Sequence, residues 1–280
     1  MDSERLGIVF GLASALSWGA GDFSGGLAAK RSPAYAVVIA SQLVGLLLLG
    51  GLAVLIAEPL PAPTDLLWSA VAGIAGGIGL VALYRGLATG RMGVVAPVTA
   101  VMSAAVPVLF GAFVEGLPTW PQLLGFGLAL VAVWLVSWTG KETGIRGRDL
   151  GLPLLAGVGF GVFLVVIDHV SDTAILWPLV AARTAAIAML SIVTVRMRST
   201  RMLVRRQLPL AALAGLLDSG GNAFYALAAQ AGRLDMAAVL SSLYPAGTVL
   251  LARLVLKESV SRPQWLGVAT ALVAIVLITS

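Results

Sequence analysis

Residues 6–29, LGIVFGLASALSWGAGDFSGGLAA, form an apolar run of 24 positions with a single charge, Asp22. About 20 apolar residues carry a helix across the hydrocarbon of a bilayer, so the stretch reads as a membrane span. Ser14, Trp18 and Asp22 recur at every fourth position and share one helical face, and glycines stand among and after them at 19, 21, 25 and 26. A span with such a stripe turns it inward and its leucines outward, because an unsatisfied polar group facing lipid is costly.

The pattern continues along the chain. Candidate spans lie at 6–29, 34–57, 66–88, 94–114, 121–139, 150–168, 174–195, 208–231, 236–256 and 264–279. Short connections with helix breakers join them: Ser32-Pro33, residues 59–63, Leu117-Pro118, residues 140–148 and Arg262-Pro263. Of the 280 residues 59% are hydrophobic and 11% charged. Soluble domains carry roughly a quarter charged residues, so this chain cannot clothe a water-facing surface. An all-α integral membrane protein is expected, with the bilayer as its first partner. The start Met1-Asp2-Ser3-Glu4-Arg5 lacks a basic leader, and the first run reads as a retained span.

Several functions are excluded early. The formal charge of +5 comes from basic residues in the gaps between apolar runs, which is an orientation signal and not a nucleic-acid face. There is no cysteine and one histidine, so no thiolate chemistry, disulfide framework or histidine metal site is expected. No Walker A motif is present, and no cofactor is expected.

A shift of 141 or 142 residues superposes the two halves of the chain. Trp18-Gly19 falls on Phe160-Gly161, Gln42 on Arg183, Tyr84 on Tyr225, and Pro121-Gln122 with Gly125 on Pro263-Gln264 with Gly267. Residues 1–140 form the first five-helix unit, 141–149 the linker and 150–280 the second. Five is odd, so the second unit enters from the opposite side, and two inverted repeats suit alternating access. The odd-numbered connections hold 13 basic residues, among them Lys30, Arg31, Arg196, Arg205 and Lys257, against Arg5 and Arg233 on the other face. By the positive-inside rule the odd connections are cytoplasmic and both termini outside, in an inner membrane.

The ten spans, the five-plus-five repeat, Leu16-Ser17-Trp18-Gly19, the run from Leu240 to Pro245, and Leu256-Lys257-Glu258 followed by Gln264-Trp265-Leu266-Gly267 resemble the drug/metabolite transporter superfamily. The nearest likeness is to its EamA-type ten-helix exporters. The resemblance implies a basket of ten helices around a central cavity, exporting amino acids or other small metabolites without ATP hydrolysis, often as one chain. A monomer or a homodimer follows. Many relatives of this type carry their termini inside, whereas the basic residues here give the reverse.

A charge near the bilayer centre costs about 2.5–3.5 kcal/mol or more. Asp22, Arg183 and Asp218 all stand roughly 12–20 Å from the basic face by helical rise, at one depth. Asp218, Asn222 and Tyr225 share a stripe of the eighth span. In one reading Asp22 and Asp218 hold a substrate ammonium or take up coupling protons, Arg183 receives a carboxylate, and Trp18 and Tyr225 wall the substrate, which would be an amino acid or other zwitterion. In another, Arg183 pairs with an aspartate and holds the halves together. Ser14 on the first stripe, with Gln42 and Tyr84 as repeat mates of Arg183 and Tyr225, completes the candidate set.

Two other classes fit parts of the sequence. Gly19-Ala20-Gly21-Asp22 spells the GxGD of intramembrane aspartyl proteases, with Asp218 as the second carboxylate. Those enzymes carry the motif after a partner aspartate on the preceding helix; here it is on the first. A non-transporting membrane partner protein is the third reading. Trp68, Trp120, Trp138, Trp177 and Trp265 lie near span ends and read as interfacial anchors. Asp168, His169 and Asp172 read as a solvated cluster.

Overall fold

A computed structural model describes residues 3–90, 92–114, 119–137, 150–170, 174–198, 202–231, 240–241, 243–257 and 261–278. The linker 141–149, Arg91, Trp138, Asp172, Arg233 and the start of the ninth expected span lie outside the described residues. So does the side chain of Asp168.

Among the described residues the chain forms ten α-helices: α1 (Ser3–Ala29), α2 (Ala34–Leu55), α3 (Pro63–Thr89), α4 (Met92–Val114), α5 (Trp120–Ser137), α6 (Gly151–His169), α7 (Leu176–Arg196), α8 (Leu208–Ala231), α9 (Tyr244–Leu256) and α10 (Arg262–Ile278). Proline is the first residue of α3 and the second of α5, α8, α9 and α10. It fits there because the first N–H groups of a helix have no internal acceptor to lose. Pro97 and Pro107 lie inside α4 and interrupt its ladder.

Four helices are long and apolar enough to cross a membrane, over Arg5–Ala29, Ala34–Leu55, Pro63–Thr89 and Leu176–Arg196. Others are shorter apolar helices over their described residues, such as Gly151–Ile167 and Arg262–Leu277. The outer faces of long and short helices alike are apolar, with Leu47 of α2 and Leu130 of α5 each 75% exposed. The inner faces bury Phe23, Val37, Val38, Leu83, Tyr84, Leu87 and Met92 in one cluster.

The principal packed pairs join a helix of the first half to one of the second: α1 with α8, α5 with α10, α3 with α6 and α7, α4 with α6, and α2 with α7 and α8. The halves therefore interleave and share one core. Lipid tails offer no hydrophobic drive between helices, so close backbone approach supplies the attraction, and small residues permit it. A Cβ on Gly73 of α3 would strike the Ala182 carbonyl of α7, and one on Gly215 of α8 would strike the Ser41 carbonyl of α2.

An acidic side chain ties α2 to α7. The backbone N–H groups of Ile175, Leu176 and Trp177 donate to the Glu58 carboxylate at 2.9 to 3.1 Å, and Trp177 Nε1 donates to Glu58 O at 3.0 Å. An anion at a helix N-terminus satisfies orphan donors and meets the positive end of the dipole. Trp177, expected as an anchor, also takes part in this cap. At the other end of α2 the Val204 N–H donates to Ser32 Oγ at 3.0 Å.

Gly215→Val is expected to lower the unfolding temperature in detergent, with a packing penalty of about 1–3 kcal/mol. Gly51→Ala, whose Cβ would meet nothing within 4 Å, should leave it unchanged or slightly raised. Equal melting of the two variants would refute the close-approach account.

Candidate functional site: a buried ion pair between helices

Arg183 enters from α7 and is 5% exposed. Its Nη2 donates to Asp218 Oδ2 of α8 at 2.6 Å, and its Nη1 donates to Gln42 Oε1 of α2 at 3.2 Å. The Asp218 side chain keeps 31% of its surface open. Arg183 Nε has no hydrogen-bond partner among the described residues. Gly45, one turn beyond Gln42, makes room for this arrangement. A Cβ there would lie 2.5 Å from Arg183 Nη1 and 2.6 Å from Ser219 Oγ.

Asp22 stands on α1 facing the same region, half-buried and within electrostatic range of Asp218. Among the described residues its carboxylate makes no hydrogen bond or ion pair. The α1 stripe around it is bound to α8. Ser14 Oγ donates to Gly221 O at 2.9 Å, Ser17 Oγ to Leu217 O at 2.8 Å, and Trp18 Nε1 to Asp218 O at 3.2 Å. These donors use spare lone pairs of carbonyls in the α8 ladder, which lets two helices bond without unwinding either.

The aromatic residues gather next to this seam. The Trp18 indole lies on Gly221, where any Cβ would collide with it. Its ring stacks on Tyr225 with centroids 6.0 Å apart and meets Tyr244 of α9 edge-on at 6.3 Å. All three side chains are half-buried. Tyr84 of α3 is 1% exposed, and its ring takes the space that Gly25 of α1 leaves open. It lies within electrostatic range of Asp22, Asp218 and Arg183. Asn222, one turn after Asp218, is half-buried on α8.

The expected residues thus converge where α1, α2, α3, α7 and α8 meet, with unequal roles. Ser14 is consumed by a helix–helix bond, Tyr84 is packed, and Arg183 is engaged by Asp218 and Gln42. Tyr244, Gly45, Ser17 and Ser219 were not in the expected set. Tyr244 lies in the run 240–245 that carries the family resemblance, and Gly45 is three residues from Gln42, so a helical-face reading had a signal for both. His169 is exposed at the end of α6. Trp265 carries the Arg253 guanidinium over its ring at 5.7 Å.

Apolar outer faces around a buried ion pair define a polytopic membrane protein with a polar centre. The EamA-like transporter family profile matches residues 5–138 and again residues 150–280, and the chain belongs to that family, one of membrane transporters. A crystal structure of a protein has the same fold, with a TM-score of 0.67 at 15% identity over 95% of this chain and 98% of that one. No curated protein matches the sequence significantly.

Removing one member of a buried pair leaves the other charge uncompensated, typically at about 3–5 kcal/mol; the open side of Asp218 places the expected loss near 3 kcal/mol. Arg183→Gln and Asp218→Asn should each destabilise the detergent-solubilised protein to that extent, and Arg183→Met with Asp218→Leu should recover more than half. Additive losses in this double-mutant cycle would mean that the pair contributes no coupling.

Proposed function

We propose that the chain exports a small metabolite across an inner membrane by alternating access, using ten membrane spans arranged as two inverted five-helix repeats, residues 1–140 and 150–280, joined by 141–149. The observation that carries this reading is the duplication of contacts under the 141- or 142-residue shift. Gly73 against Ala182 matches Gly215 against Ser41, Gly79 against Phe160 matches Gly221 against Trp18, and Gly161 against Val106 matches Gly19 against Thr248. Ala57 and Arg198, mates after α2 and α7, both adopt positive φ, at 51° and 48°. Each contact recurs with the halves exchanged, as a pseudo-two-fold axis in the membrane requires. Such an axis passes close to any residue that touches its own mate, and Gln42 and Arg183 are hydrogen-bonded mates.

Two equivalent halves that exchange conformations present one central site to either side in turn. That site is the Asp22, Asp218 and Arg183 cluster, with Trp18 and Tyr225 as its walls, Asn222 and Gln42 as polar neighbours, and Ser14 and Tyr84 holding the helices that frame it. Protons are the coupling ion in this reading, carried by the central carboxylates, and no ATP hydrolysis is involved. The GxGD protease reading is weaker, since Asp218 is engaged by Arg183 and the family is one of transporters. The partner-protein reading gains no observation.

Proteoliposome flux of a panel of labelled amino acids and neutral metabolites, at two pH values, tests the proposal. Saturable flux is expected for wild type and a loss of at least tenfold for Asp22→Asn, Arg183→Gln and Asp218→Asn. Flux that all three variants retain, with unchanged pH dependence, would remove the cluster from the mechanism. The cysteine-free chain also permits single-cysteine labelling. Met202→Cys and Arg198→Cys, both exposed, should react from the cytoplasmic side, and Ala62→Cys and Thr119→Cys from outside; the opposite pattern would place the termini inside.

A further inference from the structure

We infer that the substrate is an organic monocation, its ammonium held by Asp22 and its apolar body by the ring cluster of Trp18, Tyr225 and Tyr244. The inference rests on the transport reading above and fixes the charge of what that site accepts.

The first support is what Arg183 is already doing. A carboxylate is best received through two parallel N–H bonds from the guanidinium fork. Each Nη already donates one of its two N–H bonds, to Asp218 Oδ2 at 2.6 Å and to Gln42 Oε1 at 3.2 Å. The other N–H groups belong to a side chain that is 5% exposed, with Nε buried, so in this arrangement they are closed to a ligand. A substrate carboxylate would have to displace Asp218 and then stand beside it, with like charges adjacent in a medium of low dielectric. Arg183 therefore works as a positioning residue for Asp218 and Gln42.

The second support is the charge left over. Arg183 balances Asp218, whereas Asp22 makes no ion pair among the described residues. Among the described residues the cluster therefore holds two carboxylates and one cation at the expected membrane depth, where an uncompensated charge is costly, so the complementary occupant carries one positive charge. An anion meets net repulsion there, and a zwitterion must desolvate its carboxylate beside Asp218 while the unused N–H groups of Arg183 stay buried.

The third support comes from the rings and is independent of the charges. Trp18 precedes Asp22 by one helical turn on the same face of α1. Its indole, Tyr225 and Tyr244 make a three-ring cluster with one stacked and one edge-on contact. Tyr244 is also within electrostatic range of Asp22. Ring faces attract organic cations, most strongly where water is excluded, and a small inorganic ion has no use for them. Half-burial of all three rings leaves surface for a ligand to cover.

The experiment compares 2-phenylethylammonium, phenylalanine and 3-phenylpropionate, which share a ring and differ in charge. Each is added to the purified full-length protein in detergent while unfolding temperature is followed, so that a ligand of the native state reports itself by stabilisation. The cation alone is expected to stabilise, saturably, with an apparent affinity at least about tenfold weaker in Asp22→Asn. Its permanently charged trimethylammonium analogue, which does not leak through lipid, is expected to undergo counterflow in proteoliposomes. Stabilisation by phenylalanine that equals the cation's and disappears in Arg183→Gln overturns the inference and leaves the transport reading standing. Stabilisation by 3-phenylpropionate overturns it as well. If none of the three binds to wild type, the monocation assignment fails, and flux across the wider metabolite panel then decides separately whether the chain transports anything.

Discussion

The Arg183–Asp218 pair is the constraint around which the helices are arranged. Two opposite charges on different helices at membrane depth have few alternatives to finding each other, and their contact at 2.6 Å brings α7 against α8. Gln42 then draws α2 to the guanidinium, and Gly45 keeps the space that its planar fork occupies. None of this follows from lipophobic collapse, since lipid solvates leucine as well as protein does. Polar groups and small residues set which helices touch; the large apolar side chains fill what remains.

The same logic explains why α1 is bonded to α8 along its length. Three side-chain donors, on Ser14, Ser17 and Trp18, reach three carbonyls within about one turn of the facing helix, at Gly221, Leu217 and Asp218. Glycine at 21 and 221 allows the approach, and the stripe that approaches also carries Asp22. Fixing the stripe for packing therefore fixes the position of the carboxylate: Asp22 is held toward α8 by bonds made one and two turns before it.

Much of this was legible from the sequence, for physical reasons that can be named. Hydropathy located the helices because an apolar run of bilayer length has no stable alternative in water, and α1, expected over 6–29, is found over Ser3–Ala29. Helical rise gave Asp22, Arg183 and Asp218 one expected depth, because all three could be counted from basic residues at span ends, and Arg183 and Asp218 are found in contact. The choice between partners was not legible. Asp22 and Asp218 are equivalent by depth, and only the packing of α7 on α8 determines which of them Arg183 meets. Glu58 was missed because its role depends on a helix start that lies 117 residues away in the chain, at Ile175. Its own neighbourhood, a Pro-rich connection, reads as an ordinary turn.

The proposed two-fold axis explains why the central residues are not themselves repeated. A residue near such an axis lies beside its own mate, so a charge placed there in both halves would meet its like at close range. An arginine at position 42 would set two guanidiniums against one another where Gln42 now accepts a hydrogen bond from Arg183. The glutamine presents an acceptor of similar reach without the charge. Farther from the axis this penalty vanishes, and there the mates stay alike: Trp18 and Phe160 are both aromatic rings laid against a glycine of the facing half. A symmetric framework thus tolerates, and at its centre requires, an asymmetric site. Asp22 can stand on one half alone, on α1, while the close glycine contacts between the halves remain duplicated.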